Sequence, residues 1–314
     1  MSFNPLVAIR RALGHLKRST WEKTVVLRLF LRYAWIQHRH AARRGEGPVS
    51  RISHINFKNA HYLEKAMLCG YARTPELDAC YAALMRYLDS PEGMEDDCHF
   101  YLRKLAHEYE RYPDGFVCFM HAAQAKPWPD SYAATLRKIV VQRRSTRRFA
   151  PEALDDATLE PIVEAGAYAP TSCNAQPLAF ITIRRRETLD LVFGAAAGAA
   201  QWAGAVPTGI VIATDRRHYK PFEQHLVMFQ DVAAAAQNCL LAAEAANLAA
   251  CWVSLISDAH MARQDEIYRA LGLPPYMVIG AAIAIGRKSN AVCMVPRRPL
   301  ASLSHRERFG GSPE

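Results

Sequence analysis

The stretch "APTSCNAQPLAFITI", residues 169–183, joins two kinds of local sequence, and the fold turns on how it is read. A helical pattern running over about 157–168 meets Ala169-Pro170, where the residue before a proline is disfavoured in the helical region. From Leu178 the run "LAFITIR" is apolar and β-branched, which predicts a strand over 178–184. Thr171, Ser172, Asn174 and Gln176 lie between, so hydroxyls and two amides are concentrated in one short helix-to-strand connection. Connections of this kind commonly carry ligand contacts. Asn and Gln donate and accept at once, which suits a heteroaromatic ring whose edge alternates carbonyl oxygens and ring nitrogens.

Towards the C-terminus the same alternation continues. Strand-like runs fall at 207–214 ("PTGIVIAT"), 251–256 ("CWVSLI") and 277–286 ("MVIGAAIAIG"), separated by helical patterns at about 226–248 and 259–271. This order predicts an α/β or α+β domain whose sheet is covered by helices. The helix around "MFQDVAAAAQNCLLAAEAANLAA" is small on nearly every face, so it is expected to be central, either inside one monomer or in a subunit interface. Pro161 is tolerable in the preceding helix if Thr158 caps it, because first-turn amides have no intrahelical acceptor.

Towards the N-terminus stands "RRSTRRF", residues 143–149, with four arginines in six positions. Such a run is a solvated face, a nucleic-acid footprint or an anion site, and its neighbours must decide. Arginines bind phosphate bidentately, and the Ser145 hydroxyl adds a donor. Combined with the amide-rich loop, the pattern describes a site for a phosphorylated heterocycle.

Residues 1–112 read as successive helices, with patterns at about 59–69, 75–88 and 96–112, followed by a linker-like "AKPWPDS" at 125–131. The net charge of +9 is concentrated at the start, because residues 1–50 hold ten Lys or Arg against Glu22 and Glu46. Within that segment Arg28, Arg32, Arg39 and Arg43 form one stripe of an amphipathic helix, which is expected to pack its apolar side on the protein; weak contact with a membrane surface is the alternative. The rest of the chain is near neutral, so nucleic acid is not an expected partner.

Eight cysteines without a CxxC pair, in 314 residues, fit reduced thiols. The N-terminus lacks the pattern of a secretory signal, no stretch of about twenty residues is apolar enough to span a bilayer, and a cytoplasmic location is expected. Nucleophile-elbow, zinc-protease, Walker and dinucleotide-binding motifs are missing, and the histidines lack the spacing of a zinc site, so no metal is expected.

The ordered set "RRSTRRF", "APTSCNAQPLAF", "AAQNCLLAAEAANLAACWV", "LGLPPYMVIGAAIAIG" and "PRRPL" resembles the FMN-dependent nitroreductase family over roughly residues 138–308. The resemblance implies an α+β fold, a mainly antiparallel sheet flanked by helices, assembled as a homodimer, with a helical N-terminal extension over 1–128 and an FMN-binding domain over 129–314. It implies that Arg143, Arg144, Ser145, Thr146 and Arg147 hold the FMN phosphate and ribityl end. Pro170, Thr171, Ser172, Asn174 and Gln176 would line the flavin ring, often across the subunit boundary. Cys251, Trp252 and Val253 would pass against the flavin, the turn near Gly286-Arg287 would close that side, and Arg297 would reach the phosphate. Val295 stands where a lysine is common in the family.

The implied activity is ping-pong transfer from NADH or NADPH to an electron-poor small-molecule acceptor such as a nitroaromatic or quinone, with no catalytic side chain, because the flavin carries the chemistry. "NAHYLEKAML" is similar to a helix of extended relatives associated with polysaccharide clusters, and it places His61, Glu64 and Lys65 on one helix face. That extension keeps two alternatives open: a flavin-dependent dehydrogenase or oxidase of a biosynthetic intermediate, and a basic protein binding membrane or nucleic-acid surfaces. Cys173 reads as a small packing residue before a redox-sensitive thiol.

Overall fold

The computed structural model describes residues 50–96, 98–112, 129–196, 198–219, 223–255, 258–289 and 296–311. The basic segment 1–49, most of the linker-like stretch and Val295 lie outside the described residues.

Four helices come first: α1 (Ser50–Cys69), α2 (Pro75–Leu88), the short α3 (Pro91–Met94) and α4 (His99–Glu110). The start of α2 shows how sequence sets its bounds. Thr74 accepts a hydrogen bond from the Leu77 amide at 3.3 Å, Pro75 occupies the first turn, and Glu76 and Asp78 complement the helix dipole. Leu63, Leu84, Leu88, Leu102, Leu105 and Tyr109 are buried together, so α1, α2 and α4 share a core of their own.

The second unit follows as α5 (Asp130–Gln142), α6 (Asp156–Ala167), β1 (Leu178–Ile183), α7 (Arg186–Gly194), β2 (Thr208–Asp215), α8 (Val227–Ala245), β3 (Leu248–Val253), α9 (Asp258–Ala270) and β4 (Met277–Arg287). The strands lie in the order β1-β2-β4-β3, and every neighbouring pair is antiparallel. The architecture is α+β. Period-two alternation sends Val211, Ala249, Cys251, Val253, Ala282 and Ala284 to one face, against Leu189 and Phe193 of α7 and Ile267 of α9. Ile210, Ile212, Leu248, Ala250, Ile283 and Ile285 go to the other, against α6 and α8.

The Ala-rich α8 is buried within this one chain, at Val232, Ala235, Ala236, Cys239 and Ala243. Its smallness has a measurable reason: a Cβ added at Gly280 would lie 2.7 Å from Val232 Cγ1, and one at Gly166 of α6 would lie 2.5 Å from Cys239 Sγ. Only glycines on the neighbouring elements let the backbones come this close.

Four boundaries differ from the sequence expectations. Helices α5 and α7 occupy stretches given no helix. β3 starts at Leu248 rather than Cys251, because Asn247 adopts φ 57° and ends α8, freeing "LAA" to pair with Gly286 and Arg287. The α6 cap is Asp155, whose carboxylate accepts from the Thr158 amide at 2.9 Å, and not Thr158 itself. Pro161 therefore sits inside the helix; it and Ala157, whose carbonyl it cannot serve, are both exposed, and water can take that bond.

Candidate functional site

The arginine stretch leaves α5 at its C-terminal cap, Arg143, and runs along the edge of the sheet. Ser145 bridges Ala250 of β3 in parallel, the Thr146 amide donates to the Ala250 carbonyl at 2.9 Å, and the Ala150 amide donates to the Arg287 carbonyl at 3.0 Å. Phe149 is buried between these ties, so the polar residues before it are held on a fixed backbone. The arginines are not equivalent. Arg144 Nη1 folds back onto the Val141 and Arg143 carbonyls at 2.5 and 2.7 Å, satisfying the end of α5. Arg147 Nη1 donates to the Ser145 carbonyl at 3.2 Å.

Cys251 reports where the positive charge falls. Burial pushes its thiol up, while the charges of Arg147 and Arg143 and a hydrogen bond with Ser145 pull it back. Arg143 and Arg147 therefore place positive charge near Cys251 of β3, an effect that Arg148, exposed like Arg147, does not share. Two guanidiniums and one hydroxyl on this tied backbone are donor types that suit a phosphate dianion.

The amide-rich connection has an unusual backbone. Cys173, Asn174 and Gln176 all have positive φ, at 53°, 48° and 48°, and Ser172–Asn174 forms a short 3-10 turn. Each such residue without a glycine stores strain of about 1 kcal/mol or more. Local bonds hold the shape: the Gln176 amide donates to Thr171 Oγ1 at 3.0 Å and the Asn174 amide to the Thr171 carbonyl at 2.9 Å. From α8, the Asp231 carboxylate accepts the Ser172 amide at 3.1 and 3.0 Å and the Tyr219 hydroxyl at 2.7 Å. Asp231 and Tyr219 are both buried. Burial raises the Asp231 carboxyl above its ordinary range, and the Tyr219 and Ser172 hydrogen bonds oppose that rise.

Helix α1 packs against this same turn, where the Tyr62 hydroxyl lies 3.8 Å from Cys173 Sγ. On the neighbouring turn of α1, His61 Nδ1 and Glu64 Oε2 are 3.6 Å apart. Among the described residues, no group of His, Cys, Asp and Glu is arranged to hold a metal ion, and no helix is long and apolar enough to cross a membrane.

The polar stretches occupy opposite corners of the sheet. Ser145 lies beside β3 at one edge, while residues 171–176 feed β1 at the other. Three inter-strand gaps of about 4.8 Å separate the edges. Ala250 is level with Thr208 through Ile285, whereas Leu178 is level with Thr214, about six residues or 20 Å further along the strands. Within one chain, the arginine stretch and the loop are therefore roughly 25 Å apart.

Several expected site residues need correction. Cys251 and Val253 turn into the core on one face of β3, so only Trp252, 36% exposed, presents a side chain outward; strand alternation forbids all three from sharing a face. Gly286 and Arg287 stand at the end of a strand and are not themselves the turn. They are the last residues of β4, paired with Ala249 and Leu248. Arg297, by contrast, lies in the exposed tail 296–311 with no hydrogen bond or ion pair of its side chain among the described residues, which leaves it available to an anion. Asp231, Tyr219 and Tyr62 were missed; the one sequence signal was Asp231 itself, an acid in a helix otherwise dominated by alanine.

Fold and site together define a helix-flanked antiparallel sheet with an arginine-rich stretch at one edge and a polar loop of left-handed residues at the other. Residues 140–208 and 194–287 match the model described as the nitroreductase family, and the chain belongs to that family. An Archaeoglobus fulgidus protein provisionally named NADH dehydrogenase/NAD(P)H nitroreductase is 28% identical over 149 residues, covering 48% of this chain and 83% of its own. A Bacillus subtilis protein named FMN reductase [NAD(P)H] is 24% identical over 187 residues, covering 55% of this chain and 73% of its own. Among solved structures, one from Desulfovibrio desulfuricans, provisionally described as a nitroreductase in complex with FMN, is 32% identical, with a TM-score of 0.47 over 55% of this chain and 97% of that one.

Proposed function

We propose that this chain is an FMN-dependent oxidoreductase that takes hydride from NADH or NADPH and reduces an electron-poor small molecule, such as a nitroaromatic or quinone, in a ping-pong cycle. The observation that carries the reading is the presence, in a nitroreductase-family chain, of both the arginine stretch tied beside β3 and the left-handed amide loop 171–176. The relatives named for FMN and NAD(P)H support the choice of cofactor and donor.

The donor set fits the cofactor. Arg143 and Arg147 would bind its phosphate with the Ser145 hydroxyl, and Thr171, Ser172, Asn174 and Gln176 would meet the ring edge, with Pro170 and Trp252 beside them. When bound, FMN would supply the hydride and electron transfers. The chain orients the ring, and donors at its pyrimidine edge favour the negative charge of the reduced state.

A homodimer would bring one protomer's clamp to its partner's loop, which the separation of roughly 25 Å within one chain favours. Two surfaces support association. Helix α5 has no buried residue, yet Tyr132, Leu136 and Val140 are exposed along one stripe. The tail 296–311 exposes Leu300, Leu303 and Phe309. We place the domain boundary near residue 128, and the free cysteines among the described residues favour a cytoplasmic location.

A second reading, a dehydrogenase or oxidase dedicated to one biosynthetic intermediate, is favoured by the contact of α1 with the 172–174 turn, since a fixed cover there restricts which acceptors enter. One experiment tests both. The purified chain is expected to be yellow, to release FMN on denaturation, and to lose its colour on anaerobic addition of NADH or NADPH. Flavin inert to both nicotinamides would select the second reading, and a colourless protein that takes up no added FMN would overturn both.

A further inference from the structure

Asp231 is the buried acid that the proposed chemistry does not use. It stands in the second turn of α8, 6% exposed, with no basic side chain among its hydrogen-bond partners; its carboxylate is occupied by a backbone amide, that of Ser172, and a phenol, that of Tyr219. Burying a carboxylate costs free energy unless hydrogen bonds offset its lost hydration, so the partners of Asp231 define what it does. What these bonds hold is specific. Ser172 is the first residue of the 3-10 turn, followed at once by two residues in the left-handed region and, after Ala175, by a third. The Tyr219 hydroxyl is in turn 3.4 Å from Thr214 Oγ1, at the end of β2 that pairs with Leu178, the first residue after the loop. One carboxylate thus ties the loop's beginning to α8 and, through Tyr219, to the sheet where the loop ends.

Resting on the FMN reading, we propose that Asp231 is a positioning residue for the flavin ring: it grips the Ser172 amide and the Tyr219 hydroxyl and so fixes the left-handed course that presents Asn174 and Gln176 to the ring edge. It touches no cofactor itself. Its effect is confined to the ring and does not extend to the phosphate.

That confinement gives the test. Full-length protein is stripped of flavin and titrated with FMN and, separately, with riboflavin, for wild type, Asp231→Ala, Asp231→Asn and Tyr219→Phe, with far-UV circular dichroism to confirm folding. Asp231→Ala is expected to weaken both ligands by a similar factor, about tenfold or more, and to shift the visible absorption bands of the bound flavin. Asp231→Asn keeps an acceptor for the Ser172 amide and is expected to recover part of the affinity and the band positions. Should Asp231→Ala fail to fold, Asp231→Asn and Tyr219→Phe decide, each expected to bind both ligands several-fold more weakly than wild type with altered bands. Folded variants that match wild type in affinity and spectrum would overturn the assignment, as would loss of FMN affinity with riboflavin unaffected. A wild-type chain that binds no flavin would instead overturn the reading beneath it.

Discussion

The sharpest test of the clamp is to remove its arginines one at a time. Arg143 is half-buried at the end of α5, and among the described residues its guanidinium makes no hydrogen bond or ion pair within the chain. Its structural duty is carried by its backbone, whose amide donates to the Ile139 carbonyl at 2.9 Å. Arg143→Ala therefore leaves the helix end intact and removes only the charge facing Ser145 and Cys251. A charge-assisted hydrogen bond to phosphate contributes about 1.5–3 kcal/mol, and tenfold in affinity corresponds to about 1.4 kcal/mol. FMN binding, followed by quenching of flavin fluorescence on titrating the stripped protein, is expected to weaken about 10- to 100-fold. Riboflavin, lacking the phosphate, is expected to bind Arg143→Ala as it binds wild type. Arg148→Ala, at an exposed position outside the group acting on Cys251, should change FMN affinity less than about twofold. The loss at Arg143 should also shrink as salt is raised. Equal effects of the two substitutions, or an equal loss for riboflavin, would refute the assignment of Arg143 to the phosphate.

If clamp and loop come from different protomers, co-expressed Arg143→Ala and Asn174→Ala chains should regain about one quarter of wild-type FMN sites, because half the dimers are mixed and each mixed dimer has one intact site; no recovery above the separate variants would show a site built within one chain. Gly166→Ala drives a methyl to 2.5 Å from Cys239 Sγ and 2.8 Å from Phe180, so urea unfolding should show a loss of about 1–3 kcal/mol, and an unchanged midpoint would show that α6 can shift away from α8. Burial lowers His260 to about 4, below its unfolded value near 6.5, so the unfolded chain takes up a proton first and stability falls as pH drops from 6.5 towards 4. Between pH 7 and pH 5 this one group should remove about 2 kcal/mol, and a His260→Gln variant with the same pH slope as wild type would refute it.

The sheet was legible because its strands are short apolar runs between breakers, and each of the four overlaps one of "LAFITIR", "PTGIVIAT", "CWVSLI" and "MVIGAAIAIG". The misplaced start of β3 has a local cause. "NLAAC" has the composition of a helix, and only pairing with β4 makes Leu248–Ala250 a strand; this is tertiary context overriding propensity. Helix α5 escaped for the opposite reason: it buries nothing in its own chain, so its apolar stripe lacked the partner that gives such a pattern meaning. In the site, residue types and spacing revealed the clamp and the loop. They could not reveal that Arg144 would turn back onto its own helix, which depends on where α5 ends, or that Cys251 and Val253 would point inward, which depends on the face of the β3–β4 pair that is covered.

Helix α8 shows why the missed acid matters most. Its alanines form helix for intrinsic reasons and allow α6 and the sheet to approach closely, and neither purpose needs a charge. Asp231 gains nothing from burial, which raises its carboxyl and works against its ionised form. The hydrogen bonds that offset this lead to the loop and to the tyrosine braced against β2, and to no element of the core. From the other side of the loop, Tyr62 of α1 meets Cys173, the first of the three left-handed residues. A segment strained in this way persists only when its surroundings over-determine it, and here one hold comes from the family domain and the other from the helical unit that precedes it. The N-terminal helices are therefore coupled to the site through loop 171–176, so a substitution at Tyr62 that leaves their own core intact should still alter flavin binding. Unchanged flavin affinity and spectrum in a folded Tyr62→Ala variant would leave Asp231 as the tether that matters.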